Sequence, residues 1–146
     1  MRKIFSSLKL SQGRKIVLNA LSTGRDANLA PLTVAVLDVG GHVVCLERED
    51  GSGIMRADIA IAKAWGALGM GMSSREIRDR LQDKPAFLGA LASASQGRFG
   101  PVPGGVLVCN DKGEVIGAVG ISGDVSDQDE SCAIEGIKAA GLVPDP

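Results

Sequence analysis

Lys63 is the residue whose type and setting raise the first chemical question. It lies in SGIMRADIAIAKAWGALGM, from about Gly53 to Met70, where Arg56, Asp58 and Lys63 are the only charges. A lysine in such a stretch either reaches past its neighbours to water or pairs with an acid, and Asp38, Asp50 and Asp129 are the acids it can meet. A structural ion pair is the first reading and a catalytic amine the second, since structural networks also recruit buried charges. Two glycine-bearing stretches stand beside predicted strands. Pro103-Gly104-Gly105 precedes one strand and makes either a flexible entry or a ligand-facing loop with open N–H groups. Ser122-Gly123 ends another and can present a hydroxyl with backbone donors. His42 is the only histidine, so a histidine-rich zinc site is excluded, and any Ser-His or Cys-His machinery has to use that one side chain.

Other clusters carry less. Cys45, Cys109 and Cys132 lie far apart with no C-x-x-C, which reads as buried free thiols rather than a disulfide framework. EREDG (Glu47 to Gly51) and DVSDQDE are acidic, but neither alternates oxygen ligands around a central glycine as a calcium loop does. No metal site is expected. In GAVGISG the glycines Gly117, Gly120 and Gly123 follow G-x-x-G-x-x-G, which is not a phosphate-binding fingerprint. Strand alternation explains them better. Val115, Gly117, Val119 and Ile121 share one face; Ile116, Ala118, Gly120 and Ser122 share the other. The second face is small, so a helix or a flat ligand comes close to it, with the helix favoured.

The elements that must hold these residues follow from periodicity and turn chemistry. A first helix runs from about Ser11 to Asn28, with Ile16, Val17, Ala20 and Leu21 on one face. LTVAVLDVGGHVVCLERED reads as a hairpin turning at Asp38 to Gly41, and VLVCNDKGEVIGAVGIS as a second turning at Asn110 to Gly113. Between them lie the apolar helix of Lys63, a helix opened by a Ser73–Glu76 capping box, and PAFLGALASASQ with Pro85 in its first turn. A last helix begins near Ser126, with first-turn acids that suit its dipole, and stops at Gly141. The expected class is α/β of the α+β type: one antiparallel sheet of about five strands, built from two hairpins and flanked by helices. Four strands can be placed and the fifth cannot.

The 146 residues fit a single domain spanning 1–146. Net charge is −1, from 16 basic and 17 acidic residues, and three Phe, one Trp and no Tyr leave no stacking platform, so nucleic acid is not an expected partner. MRKIFSSLKL is interrupted by Lys9 before it becomes an apolar core, and no uncharged run is long enough to span a bilayer. The expected location is cytoplasmic, with no membrane contact.

AVLDVGGHVV, EREDG, DIAIAKA, PVPGGV and GEVIGAVGISGDVSDQDESCAIEGI, in this order and spacing, resemble the GlcG/HbpS family, related to the C-terminal domain of PduO-type corrinoid adenosyltransferases. The resemblance covers about Gly13 to Gly141. It implies a five-stranded antiparallel sheet flanked by helices and a homo-oligomer that binds a small molecule, with haem or another tetrapyrrole the leading cofactor. The alternatives it leaves are a cytosolic catabolic enzyme, of isomerase or lyase type, acting on a small carboxylate, or an accessory subunit of a neighbouring enzyme. Some haem-binding relatives use a histidine on the first helix, and this chain has none there. The family's R-M-D-G is Arg48-Glu49-Asp50-Gly51 here, and its S-G-A is Ser122-Gly123-Asp124. If haem binds, its iron must use His42, the named axial candidate, or else a Cys, a Met, an oxygen ligand or nothing strong. The recurrent family positions fall on Asp38, Arg48, Asp50, Lys63, Gly104, Gly105, Ser122 and Asp129. From these the resemblance implies a ligand site of Arg48, Lys63, Gly104, Gly105, Ser122 and Gly123. Arg48 and Lys63 would hold a carboxylate, and Lys63 and Asp50 are the catalytic candidates.

Overall fold

A computed structural model describes residues 1–146. Its chain order is α1 (Leu10–Asp26), β1 (Thr33–Asp38), β2 (Val43–Arg48), α2 (Arg56–Met70), α3 (Ser74–Leu81), α4 (Pro85–Ala94), β3 (Gly105–Cys109), β4 (Val115–Ser122), α5 (Ser126–Ala139) and β5 (Val143–Asp145). The five strands form one open sheet in the order β2-β1-β4-β3-β5, and every neighbouring pair is antiparallel. The expected α+β fold is the fold observed.

The two hairpins form where the turn residues dictate. Gly41 N–H donates to Asp38 O at 2.9 Å, and Gly113 N–H donates to Asn110 O at 3.1 Å. Both glycines take positive φ, +79° and +78°, where a side chain is strained. Each turn is accompanied by a slip in register, at Val36/Leu37 and at Val108/Cys109. The second slip corrects the face assigned to Ile116. Strict alternation sends it to the same side as Ala118, whereas the bulge turns it onto the opposite cluster, where it packs against the main core.

The sheet buries both faces. Val34, Val36, Val106, Val108, Val119 and Ile121 pack against Ile16, Val17, Cys132, Ala133 and Ile137 of α1 and α5. Each Val or Ile side chain among them, fully withdrawn from water, contributes about 1.5–3 kcal/mol. The other face is small and carries α2: Leu37, Leu107 and Ala118 meet Ala64 and Ala67. Gly105 and Gly120 let this helix settle on the sheet. A Cβ on Gly120 would collide with the Ala60 carbonyl oxygen, and one on Gly105 with the Lys63 carbonyl oxygen. The thin face therefore carries a helix.

Several boundaries differ from expectation. The unplaced fifth strand is β5, whose Val143 and Pro144 pair with Cys109 and Val108; the sequence suggests only a helix stop there. Helix α2 starts at Arg56 rather than Gly53, and Met55 gives it no side-chain cap. Ser73 does cap α3 by accepting from Glu76 N–H at 3.1 Å, but the Glu76 carboxylate pairs with Arg80 one turn on. Helix α5 does start at Ser126, with Asp127 and Asp129 in its first turn and Val125 at its N-cap.

Candidate functional site

Lys63 is sealed beneath the sheet end. Its side chain is 2% exposed and that of Asp129 is 1% exposed. Nζ donates to Asp129 Oδ2 at 2.9 Å and to the Ile121 carbonyl at 2.8 Å, while Asp129 Oδ1 accepts from Asp124 N–H at 3.1 Å. One lysine thereby ties α2 to both β4 and α5. Burial pushes the ammonium down and the carboxyl up, and their mutual attraction opposes both shifts. Gly104 closes the space over Nζ: its φ is +115°, and a Cβ there would stand 2.9 Å from that nitrogen. Asp129 is thus the partner among the three acids considered. Asp38 lies in the first hairpin turn and Asp50 is an exposed residue after β2. Neither is hydrogen-bonded or ion-paired to Lys63.

Just outside this pair, strand register brings a row of polar side chains together on the α2 face. Thr33 is the cross-strand neighbour of both Arg48 and Ser122. Thr33 Oγ1 and Ser52 Oγ are hydrogen-bonded at 2.8 Å, Arg48 Nη1 donates to the Ser52 carbonyl at 2.5 Å, and Arg56 Nη1 donates to Ser122 Oγ at 3.1 Å. Thr33, Ser52 and Ser122 are buried, Arg56 is half-buried and Arg48 is exposed. Of the expected ligand set, Arg48 and Ser122 meet in this row. Gly123 follows Ser122, and Lys63, Gly104 and Gly105 lie behind it, out of contact with water. Nothing in the sequence marks out Arg56. At a helix start it looks solvated, and its partner lies 66 residues away.

The third region is apolar. A hollow of about 190 Å³ lies between α2 and α4, with Trp65, Met70, Leu91 and Phe99 among its walls. A second, of about 130 Å³, lies between Trp65 and the first hairpin turn. Trp65 and Gly69 line both, so the indole stands at the boundary between the two hollows along one shallow apolar groove. The Arg98 guanidinium stacks 4.4 Å from the indole centroid. His42 follows Gly40 and Gly41, which line the second hollow; its side chain is 83% exposed, with Nδ1 3.4 Å from Asp38 Oδ1. Thr33 and Asp38 terminate the same strand, so His42 and the arginine row are separated by about 17 Å of strand.

The family described as haem degrading protein HbpS-like matches residues 8–138. The chain belongs to the HbpS-like family. A 15.0 kDa protein of Citrobacter freundii from the dhaT-dhaS intergenic region, described as uncharacterized, is 30% identical over 128 residues, 88% of each chain. The corrinoid adenosyltransferase PduO of Salmonella typhimurium is 32% identical over 112 residues, which are 77% of this chain but 33% of PduO. This chain therefore matches about a third of that relative. Among solved structures, a complex of PduOC with heme superposes with a TM-score of 0.84 at 26% identity, covering 95% of this chain and 99% of that one. Klebsiella pneumoniae protein ORFY gives 0.85 at 25%, covering 96% and 94%. HbpS gives 0.78 at 24%, covering 94% and 92%, a likeness of fold. Together these place the HbpS-like chain beside the C-terminal part of PduO.

Proposed function

We propose that this protein binds a small ligand, with haem or a related tetrapyrrole as that ligand, in the open groove across Trp65. The observation that carries the reading is the full-length likeness to PduOC, whose structure holds heme, within a family described as haem-degrading. The groove suits a flat apolar ring. Its walls are aromatic and aliphatic, it is open along one side, and Trp65 offers a stacking face.

One donor is available as well. His42 is the only imidazole, it follows Gly40 and Gly41 of the second hollow's wall, and Asp38 faces its Nδ1, which leaves Nε2 as the nitrogen a metal would take. Arg98 offers a guanidinium to a carboxylate at the same groove. The first helix supplies no histidine, so iron ligation in this chain would differ from that in relatives that use one there. When bound, haem would supply an iron centre able to take an exogenous ligand or an electron. The chain's own part is to exclude water from one face of the ring and to anchor its acidic edge.

A haemin titration of the purified protein, followed by absorption, tests this. The expected result is a saturable, shifted Soret band near one haem per chain or per pair of chains, weakened by Trp65→Ala and altered by His42→Ala. A featureless, non-saturating titration would sink the reading. Saturation that is unaffected by Trp65→Ala would move the ligand to another surface.

A further inference from the structure

The row of side chains at the sheet end is not used by the haem reading and has a one-sided chemistry. Ser122 Oγ accepts from Arg56, and its own O–H has no acceptor. Thr33 and Ser52 share one hydrogen bond, so one of their two hydroxyl protons is also without an acceptor. Arg48 uses one N–H on the Ser52 carbonyl and Arg56 one on Ser122; neither guanidinium has a carboxylate within ion-pair distance. Of the other arginines, Arg25, Arg75, Arg78 and Arg80 are ion-paired, whereas Arg2, Arg14 and Arg98 are not. Helix α2 begins at this place with no side-chain cap, which adds the positive end of its dipole. Donors outnumber acceptors, and several are held by buried residues. Asp124 and Asp129 lie close enough to feel the Arg56 charge without bonding to it, and a group that accepts without donating would use the N–H and O–H groups left over.

We infer that this row is a binding site for a small carboxylate, most fully engaged by a short dicarboxylate. A carboxylate matches the planar fork of a guanidinium, which donates two parallel N–H bonds. The row extends across β2, β1 and β4, so the backbones bearing Arg48 and Ser122 stand two strand spacings apart, about 10 Å. One carboxylate lies on Arg56 with the Ser122 hydroxyl, and the other reaches Arg48. The Lys63–Asp129 pair behind the row is net neutral and holds Ile121, next to Ser122, in place; it positions the site without touching the ligand. The site is independent of haem, because His42 and Trp65 lie at the opposite end of the sheet.

The test uses the full chain without haem. Thermal stabilisation and calorimetry are measured with acetate, malonate, succinate, glutarate and inorganic phosphate at matched ionic strength and pH. The expected result is saturable stabilisation by at least one dicarboxylate, at least tenfold tighter than acetate. Arg56→Gln and Arg48→Gln each weaken it at least tenfold, and His42→Ala leaves it unchanged. Both arginine side chains reach solvent, so the variants' own melting temperatures should stay near that of the parent, and Arg56→Lys gives a milder loss than Arg56→Gln. The inference is overturned if no dicarboxylate saturates, if both arginine variants bind as the parent does, or if phosphate binds more tightly than every carboxylate. A failed haemin titration with successful dicarboxylate binding removes only the haem reading, and the reverse removes only this one.

Discussion

The Lys63–Asp129 pair is held at 2.9 Å by side chains that are almost fully withdrawn from water. Removing one member strands the other charge. Lys63→Met should therefore cost about 3–5 kcal/mol in urea unfolding, while Lys63→Met combined with Asp129→Leu should recover much of that loss. A pair whose amine performs the protein's chemistry would lose ligand-dependent behaviour in the double variant even as stability returned. A second residue makes a statement about pH. Burial, together with nearby acids, pushes the Cys132 thiol from about 9 up to about 11. Between these values the unfolded chain loses a proton that the folded chain keeps, so stability present below pH 9 is lost as pH rises through 11. The full window corresponds to about 3 kcal/mol. Lys63, pushed down, works in the opposite sense, so the clean measurement is the difference between parent and Cys132→Ala unfolding profiles from pH 8 to 11. The parent should fall more steeply. The same thiol should resist alkylation at neutral pH, with the half-buried Cys45 labelled before it.

Two kinds of glycine separate at the scale of elements. Gly120 and Gly105 serve packing: a methyl group at either runs into backbone of α2, and backbone cannot swing aside as a side chain does. Gly113 serves its turn through a φ of +78°, and a methyl group there would meet nothing within 4 Å. Gly113→Ala should thus cost about 1–2 kcal/mol. Gly120→Ala should cost clearly more and should also loosen the row at the sheet end, because α2 carries Arg56; paired thermal melts compare the two. The contrast also marks what the sequence could reveal. Both hairpin turns were legible, since Asp38 to Gly41 and Asn110 to Gly113 repeat one local device. The anomalous lysine was legible from its apolar surroundings. The strand β5 was not, because Val143-Pro144-Asp145 is too short for any periodicity. The Arg56–Ser122 contact was not, because nothing local links a helix start to a strand end 66 positions later. The exclusion of Asp50 from the lysine's hydrogen bonds is likewise a matter of register and helix placement, set only when the sheet and α2 come together.

At the scale of the whole molecule, α4 is the element that the fold does not account for. PAFLGALASA carries no charge, none of its residues is buried, and Phe87 is half exposed. A helix apolar on all sides belongs in a core or an interface. Here it forms one wall of the Trp65 groove and leaves its outer side uncovered. The chain is therefore expected to self-associate through α4, and sedimentation at micromolar concentration should give a mass above 15.0 kDa. Phe87→Asp, whose side chain is already exposed, should shift the species toward the single-chain mass while leaving the far-ultraviolet spectrum intact. Sedimentation at the single-chain mass for the unaltered protein would refute the expectation. The same variant couples assembly to ligand. A groove walled by α4 leaves one face of a flat ring open to whatever packs on that helix, so the haemin stoichiometry and affinity should change with Phe87→Asp. The dicarboxylate response at the far end of the sheet should not change. A haem affinity indifferent to the oligomer would mean that one chain encloses all of the ring that the protein covers.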